Sequence, residues 1–557
     1  MRARPLLAPN LILRALALAG CALLLASCGE LESDASKYPQ DPWDSSQPPG
    51  PGDDAYYPPE EPTPEFRFLT PKAGRDYVFV PNETLDTVSK IDADALTVTS
   101  IPVGERPTRL EAVDGLNMAL VLNQDANNVA IIRADLPDAQ GNLDDQVTFL
   151  PVEPAFNLLA MAPDGRHAFA FFSFAAHEAG EPVGNLQTVS LIRLEDGAEA
   201  SFSLSVGFQV RKIIFRQDPE AGSLPRISHA YIVTDTGISE VRLDAIMADQ
   251  ILPVLPVSPH PLDAPLDREV QLTPSGHFAL VRDLGRAELT IVRLSDGTMQ
   301  TIPIAMPATD LDVFPAKDGA LPEDDRALVV IRGTNEVILL HVAQAFADPE
   351  ALDYLDTGSA LKGLAVISPD GRYALFYTTL SGGDRLSILD FQDLAAGPRV
   401  LPLSKGITAV LIAPDSRYAL ALHPREAIQS GDNSTVRFIR QHPAYSLVDI
   451  ATGFTSLVLT QEPVYDLTFW SGELGSFAYV AFNEDQSRTY AVDVVDLSTF
   501  LTSTLEMGSP PTHLGRIFGR SRIWINQEHP VGRMTFIDVL TSTPRTLTGF
   551  ELNRMIK

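Results

Sequence analysis

A strand-and-turn unit that recurs along the chain restricts its fold more than any other feature of the sequence. In each unit a short apolar strand ends in a tight turn built from Pro, Asp, Ser and Gly, and a second apolar strand follows. Proline presets φ, aspartate hydrogen bonds to its own backbone and glycine tolerates positive φ, so each turn predicts an antiparallel hairpin. The clearest turns are at residues 163–165, 274–276, 369–371 and 414–416.

A second hairpin follows in the same unit. Two apolar strand residues precede an aspartate, whose carboxylate is expected to close an Asx-type turn into the next strand. These aspartates are Asp92, Asp390, Asp449, Asp496 and Asp538. Two hairpins make a four-stranded antiparallel sheet, the size of one propeller blade, and the units follow one another about every 50 residues.

The repeat predicts an all-β fold: a β-propeller of four-stranded antiparallel blades over residues 67–557, with about ten units. Ten units fit either a single large ring or two rings. A pair of β-sandwich domains is the competing architecture. The regular spacing of the turns favours the propeller, because an even repeat of hairpins stacks radially.

One unit resembles a known repeat. Residues 77–115 read YVFVPNETLDTVSKIDADALTVTSIPVGERPTRLEAVDG, which is similar to the YVTN-type propeller repeat of surface-layer-like proteins. Residues 80–82 stand in the YVTN strand, residues 88–92 in the second strand, and residues 101–104 with Pro107 in the IPVGxxP turn. The resemblance implies a propeller, which in that family usually has seven blades, so ten units depart from it.

The N-terminus has the pattern of a cleavable export signal. An apolar run from residue 15 to residue 26 follows three arginines, and no acidic residue comes before Glu30. A membrane-spanning helix needs roughly 20 apolar residues, so this run is too short to be one. Residues 1–27 are therefore interpreted as a signal peptide.

The end of this segment resembles the lipobox of bacterial lipoproteins, in which an aliphatic residue and two small residues precede a lipidated cysteine. Here the four residues are Leu25, Ala26, Ser27 and Cys28. The resemblance implies cleavage before Cys28, acylation there with chains such as palmitate, and anchoring in a lipid bilayer. Gly29 in place of aspartate implies the outer membrane. An ordinary secretory signal is the alternative, although Cys28 would be the only cysteine left after cleavage.

Residues 28–66 differ in composition from the rest of the chain. They are rich in proline and acidic residues, and Lys37 is their only lysine. Such a segment buries too little apolar surface to offset its ordering entropy, so it is predicted to be a disordered tether. The whole chain has a formal net charge of −30. That charge would repel nucleic acid and anionic headgroups, which excludes nucleic-acid partners.

Motifs for the chemistry that propellers can host are missing from the sequence. The ten histidines do not have the spacing of zinc ligands, and His167 and His277 share a place after a turn, which repeat geometry explains. CxxCH, GxSxG and phosphate-loop motifs are absent. Three acidic clusters could supply oxygens to calcium, but none has the D-x-D-x-D-G pattern, which favours solvated turns. They are Asp92 with Asp94, residues 323–325, and Glu484 with Asp485. The sequence thus predicts no metal, no cofactor and no catalytic residue.

Two classes of function remain open at this point. The first is a lipid-anchored, non-catalytic binding or scaffolding module for a protein or polysaccharide partner in the cell envelope. The second is a propeller enzyme such as a lactonase-like hydrolase. An enzyme of that kind requires carboxylates, histidine or arginine to converge on one point of the central channel.

Overall fold

The computed structural model describes residues 66–551, apart from 138–142, 219–225, 247–249, 261–267, 316–320, 356, 358–360, 381 and 485–488. The predicted signal peptide (1–27), Cys28 and the predicted tether up to residue 65 lie outside the described residues. Within the described ranges, no helix has the length and apolar content needed to cross a bilayer.

Forty strands form ten sheets, numbered here as blades 1 to 10 in chain order. Blades 1 to 3 contain β1 (Lys72–Ala73), β2 (Tyr77–Asn82), β3 (Thr87–Asp92), β4 (Val98–Pro102), β5 (Pro107–Ala112), β6 (Met118–Asn123), β7 (Asn128–Pro137), β8 (Leu143–Pro151), β9 (Leu158–Met161), β10 (His167–Phe171), β11 (Thr188–Arg193) and β12 (Ala200–Ser205). Blades 4 to 6 contain β13 (Val210–Asp218), β14 (Arg226–Thr234), β15 (Ile238–Arg242), β17 (Arg268–Leu272), β18 (Phe278–Asp283), β19 (Glu288–Arg293), β20 (Met299–Pro303), β21 (Asp310–Pro315), β22 (Asp325–Ile331), β23 (Glu336–His341) and β24 (Asp353–Leu355).

Blades 7 to 10 contain β25 (Leu364–Ile367), β26 (Tyr373–Tyr377), β27 (Arg385–Asp390), β28 (Arg399–Pro402), β29 (Ala409–Ile412), β30 (Tyr418–His423), β31 (Ala444–Asp449), β32 (Thr455–Leu459), β33 (Asp466–Gly472), β34 (Gly475–Glu484), β35 (Thr489–Asp496), β36 (Leu501–Glu506), β37 (Pro511–Ile517), β38 (Arg522–Gln527), β39 (Arg533–Asp538) and β40 (Pro544–Thr548). Two short α-helices interrupt the described chain, Val342–Ala347 and Ser434–Gln441.

Strand order within the blades confirms the predicted hairpin repeat. Eight blades have four antiparallel strands in chain order. Blade 4 has three strands, and β16 (Gln250–Ile251) instead pairs in parallel with β12 of blade 3. The predicted Asx-type turns are also confirmed, because each aspartate accepts a backbone N–H two or three residues on. Asp92, for example, accepts the N–H groups of Asp94 at 2.8 Å and Ala95 at 2.9 Å. The four others are Asp390, Asp449, Asp496 and Asp538.

Burial between blades explains why the middle strands are apolar on both sides. All six residues of β6 are buried, whereas β36 at an outer edge is almost fully exposed. The buried side chains form ten apolar clusters, and each cluster joins two neighbouring blades. One of them packs Trp524 and Phe536 of blade 10 against Val78 and Ile91 of blade 1. The ten blades therefore close into one ring, and the two-ring and β-sandwich alternatives are wrong.

Among the described strands none is exchanged between the first and last blades, so side chains hold the ring closed together with a few backbone hydrogen bonds, such as that from the Gly519 N–H to the Arg75 carbonyl at 2.9 Å. Arg522 of blade 10 contacts Asp94 of blade 1 at 2.7 Å and Asp538 of its own blade at 2.8 Å. Arg520 lies 3.3 Å from Asp76 and 3.4 Å from Asp94. These charged contacts border the apolar cluster at the same junction.

The segment that resembles the YVTN repeat crosses a blade boundary. Residues 77–115 form β2 to β4 of blade 1 and β5 of blade 2. At the end of β2, the Asn82 side-chain oxygen accepts the N–H groups of Thr84 at 3.0 Å and Leu85 at 3.2 Å, which turns the chain. Gly104 lies so close to Asn123 that a Cβ there would stand 2.9 Å from its side chain. These contacts explain why Asn and Gly occupy those two positions.

Candidate functional site

The two faces of the ring are built from different connections. The turns between first and second strands and between third and fourth strands form one face, which we call the turn face. The opposite loop face carries the connections from the second to the third strand of each blade and from each blade to the next. Two connections there are long, residues 172–187 in blade 3 and residues 424–443 in blade 8.

The long connection of blade 3 closes one side of a cleft on the loop face. The cleft is open to solvent, has a space of about 380 Å3 when the solvent at its mouth is included, and is lined by residues from blades 1 to 3. Its wall is fixed by Asn157, whose amide donates to the Ser173 carbonyl at 2.9 Å and accepts the Ser173 N–H at 2.8 Å. The lining residues are Arg67, Leu69, Glu83, Arg106, Thr108, Arg109, Gln124, Asn157, Ala176, Glu178 and Glu181.

Two of the three arginines in this cleft pair with carboxylates. Arg67 lies 2.9 Å from Glu83 and 3.5 Å from Glu178. Arg106 donates a hydrogen bond to Glu181. Burial opposes both charges of that pair, yet the hydrogen bond between them outweighs burial, raising the pKa of Arg106 and lowering the pKa of Glu181. Both groups are therefore charged at neutral pH.

Arg109 differs from the other two arginines. It lies on β5, the innermost strand of blade 2, and its guanidinium donates to the backbone carbonyl of the adjacent Thr108 at 2.7 Å. Among the residues that the structure describes, no carboxylate pairs with it. Thr108 also lines the cleft, and its Oγ1 is buried without a hydrogen-bond partner.

The long connection of blade 8 contains the helix Ser434–Gln441. Hydrogen bonds with Lys405 and Gly406, which precede β29, hold this connection in place. Lys405 donates to the carbonyl of Ile439 at 2.9 Å near the helix C-terminus, and burial lowers the pKa of this lysine. Glu426 accepts the N–H of Gly406 at 2.6 Å. With its base held in this way, the connection presents Phe438 to solvent.

Large exposed apolar side chains follow the loop face from blade 3 to the connection between blades 8 and 9. Scattered single residues of this kind are ordinary on a protein surface, whereas a contiguous group of them is typical of an interaction surface. We call this set the apolar arc: Phe174, Val183, Phe208, Leu284, Met306, Leu361, Leu380, Ile428, Phe438 and Tyr465.

Several charged side chains on the strands next to the channel form pairs with near neighbours. The first strand of each blade lies innermost and packs beside the first strand of the following blade. Within the described part of the chain, no three His, Cys, Asp or Glu side chains come together in a way that could hold a metal ion. The pairs are Lys72 with Glu111, Arg211 with Asp235, Arg268 with Asp283, and Glu269 with Arg282.

The three acidic clusters that the sequence offered as possible calcium ligands differ in their contacts and burial. Asp92 caps its own turn, and Asp94 pairs with Arg522 across the ring closure. The interpretation of residues 323–325 as a solvated turn is wrong for Asp325, which is fully buried. The side chains of Glu484 and Asp485 lie outside what the structure describes.

Asp325 acts as a latch between two blades. Its carboxylate accepts the N–H of Ser275 in blade 5 at 3.1 Å and the hydroxyl of the same serine. An aspartate in another turn also connects two blades. The Asp164 carboxylate accepts the N–H of Arg166 within its own turn at 3.0 Å and the N–H of Ile227 in blade 4 at 3.1 Å. Latches of this kind connect blades along the turn face.

Replacing Asp325 by alanine is expected to lower the free energy of unfolding by about 1–3 kcal/mol, because the buried Ser275 N–H would be left without an acceptor and the Ser275 hydroxyl would lose its charged one. Denaturant unfolding measures this, with Asp324→Ala as the neighbouring control. Asp325→Asn keeps an acceptor and should lose less stability. An unchanged midpoint for Asp325→Ala would contradict the latch.

Sequence reasoning missed both the cleft and the apolar arc. The cleft residues come from positions 67 to 181, and most of them look like ordinary charged or polar surface residues in the sequence. His167 begins β10 and His277 precedes β18. Neither histidine is among the residues that line the cleft. The length of the blade 3 connection between two strand patterns was the one available signal.

Comparisons with known proteins return fold neighbours. No family model matches the chain, and no curated protein matches it. The solved structure of dihydro-heme d1 dehydrogenase NirN in complex with DHE is 14% identical over 79% of this chain and 75% of its own, with a TM-score of 0.39. Apo AztD from Citrobacter koseri is 11% identical over 81% of this chain and 96% of its own, with a TM-score of 0.35.

A third solved structure, the Swd1 β-propeller domain of Myceliophteria thermophila, is 10% identical over 59% of this chain and 97% of its own, with a TM-score of 0.30. None of these likenesses transfers an activity, because one fold hosts many functions. The ten-bladed ring stands on its own strands and clusters, and the resemblance to the YVTN repeat stays a prediction.

Proposed function

We propose that this chain is a membrane-anchored lipoprotein whose propeller is a non-catalytic binding module, and that the apolar arc holds a protein partner in the cell envelope. The observation that carries the proposal is that ten of the 22 large apolar side chains exposed among the described residues lie on loop-face connections between blade 3 and blade 9. Burying such side chains against a partner releases water from them, which is the main driving force of protein association.

The composition of the arc favours a protein over a lipid surface as the occupant. Phe, Tyr, Met and Arg are enriched at the cores of protein interfaces. The arc contains Phe438, Tyr465 and Met306, and exposed Arg437 is on the same helix as Phe438. The net charge of −30 opposes close approach to an anionic bilayer. We therefore place the lipid contact at Cys28 and the partner contact at the arc.

Pairing of the channel charges supports binding rather than catalysis. An enzyme active site needs an acid, base or nucleophile that is free to act on substrate. Several charges on the innermost strands, such as Arg268 with Asp283 at 2.8 Å, satisfy one another instead. The carboxylates of Asp310 and Asp466 are occupied by backbone N–H groups of the next blade. Lactone hydrolysis stays the alternative from another class, and no arrangement among the described residues favours it.

Exposed residues of the two faces offer a matched test of the partner contact. Phe438→Ser and Met306→Ser alter the arc, and Phe454→Ser alters an exposed phenylalanine on the turn face. We expect wild type and Phe454→Ser to co-purify one envelope protein at a fixed molar ratio after cross-linking in a Gram-negative host. The arc variants should lose that protein at least tenfold. Equal loss in all three variants, or in none, would contradict the proposal.

The anchor is tested separately with Cys28→Ala. Several acyl chains on one residue bind a bilayer durably, since each buried methylene contributes about 0.8 kcal/mol. We expect the wild-type protein to enter the detergent phase with an acylated N-terminal peptide by mass spectrometry. Cys28→Ala should stay in the aqueous phase. If both proteins stay aqueous and wild type carries a free thiol, the anchor is absent, although the arc result would still stand.

A further inference from the structure

We propose that the cleft of blades 1 to 3 binds a small ligand through its carboxylate, with Arg109 as the group that recognises the charge. The cleft shares the blade 3 connection with Phe174 and Val183 of the apolar arc, but Arg109 lies on β5 and can be altered without changing the arc, so this proposal does not rest on the partner proposed above. The space of about 380 Å3 in the cleft includes solvent at its open mouth, so the protein surrounds only part of a bound molecule. The cleft can therefore hold the carboxylate end of a small organic acid or acidic sugar unit, with the rest of the molecule at the mouth.

Arg109 differs from the other two arginines that line the cleft in its charged partners. Arg67 is held by Glu83 at 2.9 Å, and Arg106 is held by Glu181 and, at 3.3 Å, by Asp125. These pairs leave Arg109 as the lining arginine without a carboxylate among the described residues. Because a guanidinium matches a carboxylate with two parallel hydrogen bonds, an incoming carboxylate supplies the missing partner.

A second polar group beside Arg109 also lacks a partner. Thr108 Oγ1 is buried and makes no hydrogen bond within the protein. A buried hydroxyl without a partner costs free energy, and a ligand oxygen in the cleft would relieve that cost. Thr108 and Arg109 are consecutive on β5, and both line the cleft. The pair thus offers a charged donor and a hydroxyl donor to one ligand.

The walls limit which ligands fit. Asn157 is fixed by two hydrogen bonds to Ser173, so this wall is preorganised rather than formed by the ligand. Glu178 is largely exposed and reaches Arg67 only at 3.5 Å, which leaves its carboxylate able to accept from ligand hydroxyl groups. A hydroxylated acid, with a carboxylate at one end and hydroxyl groups at the other, complements both sides.

Titration with glucuronate, followed by calorimetry, tests the site on the full protein. Glucose is the uncharged counterpart, and inorganic phosphate is the competing anion. We expect glucuronate to bind wild type and to lose at least tenfold in affinity with Arg109→Gln. Arg109→Lys should fall between the two, because it keeps the charge but not the fork of donors. Arg166→Gln, an exposed arginine on the turn face, should bind like wild type.

Each further result decides the proposal. An affinity that is unchanged in Arg109→Gln, equal binding of glucose, tighter binding of phosphate, or no binding of glucuronate at millimolar concentration would overturn it. Oligogalacturonate that binds more tightly than glucuronate would support an acidic polysaccharide as the source of the carboxylate. Equal affinities would support a free acid. Failure here leaves the cross-linking result for Phe438→Ser and Met306→Ser unchanged, because both residues lie outside the cleft, so the two proposals can be rejected separately.

Discussion

Replacing Phe536 by alanine is expected to lower the free energy of unfolding by about 3–5 kcal/mol, the cost of truncating a fully buried phenylalanine. Phe536 is 1% exposed and packs in the cluster that joins blade 10 to blade 1. Among the described strands none is shared across this junction, so its packed side chains contribute much of the closure. Denaturant unfolding followed by tryptophan fluorescence measures the change, because Trp524 lies in the same cluster.

Two controls separate ring closure from general core damage. Phe376→Ala removes an equally buried phenylalanine between blades 6 and 7, and Phe149→Ala removes one that is 48% exposed. Phe376→Ala should cost a similar amount, and Phe149→Ala much less. Early proteolysis near both ends of the propeller is expected only for Phe536→Ala. A loss below about 1 kcal/mol would show that other contacts, such as that of Arg522 with Asp94, close the ring.

Asp310→Asn is expected to raise stability relative to wild type as pH increases. Asp310 begins β21, an innermost strand, and accepts the N–H of Ala365 in blade 7 at 2.8 Å. Burial raises its pKa to about 6, and the negative charge of Glu269 adds to the effect. Asp466 begins β33 in the same way, and burial raises its pKa too.

The sign of this effect follows from proton linkage. Because the folded pKa lies above the ordinary value of 3.8, the folded state binds the proton more tightly. The associated stability is fully present below about pH 4 and is lost as pH rises through about 6. A shift of about two pKa units corresponds to about 3 kcal/mol. Asparagine cannot ionise, so Asp310→Asn should escape that loss.

The pH dependence of the stability difference is measured from the unfolding free energies of wild type and Asp310→Asn at several pH values between 4 and 7. The difference between the two proteins should grow in favour of the variant by about 2–3 kcal/mol across that range and then stay constant. Asp296→Asn is the control, because hydrogen bonds from Arg293 lower the pKa of that exposed aspartate. If the difference in unfolding free energy between the two proteins does not change with pH, the Asp310 carboxylate is solvated and the prediction is wrong.

The sequence by itself determined the parts of this protein that depend on neighbouring residues. A tight turn depends on the few residues that form it. The turn at residues 163–165 and the Asx turn at Asp92 could therefore be recognised from the local sequence alone. Gly165 has a φ of +69°, as its place in the turn requires. The approximate count of ten units follows from the same local signals, since each blade repeats two hairpins.

Only the tertiary structure decided how these units assemble and which charges meet. One ring rather than two depends on Phe536 meeting Val78 across more than 450 residues of sequence, and no local pattern reports that contact. Asp325 looks like a solvated acidic turn in the sequence but is buried as a latch, because blade 5 covers it. In the same way, Arg106 and Arg109 are alike in sequence. The blade 3 connection brings Glu181 to Arg106 and leaves Arg109 facing the cleft, because long-range packing alone determines which charge is neutralised.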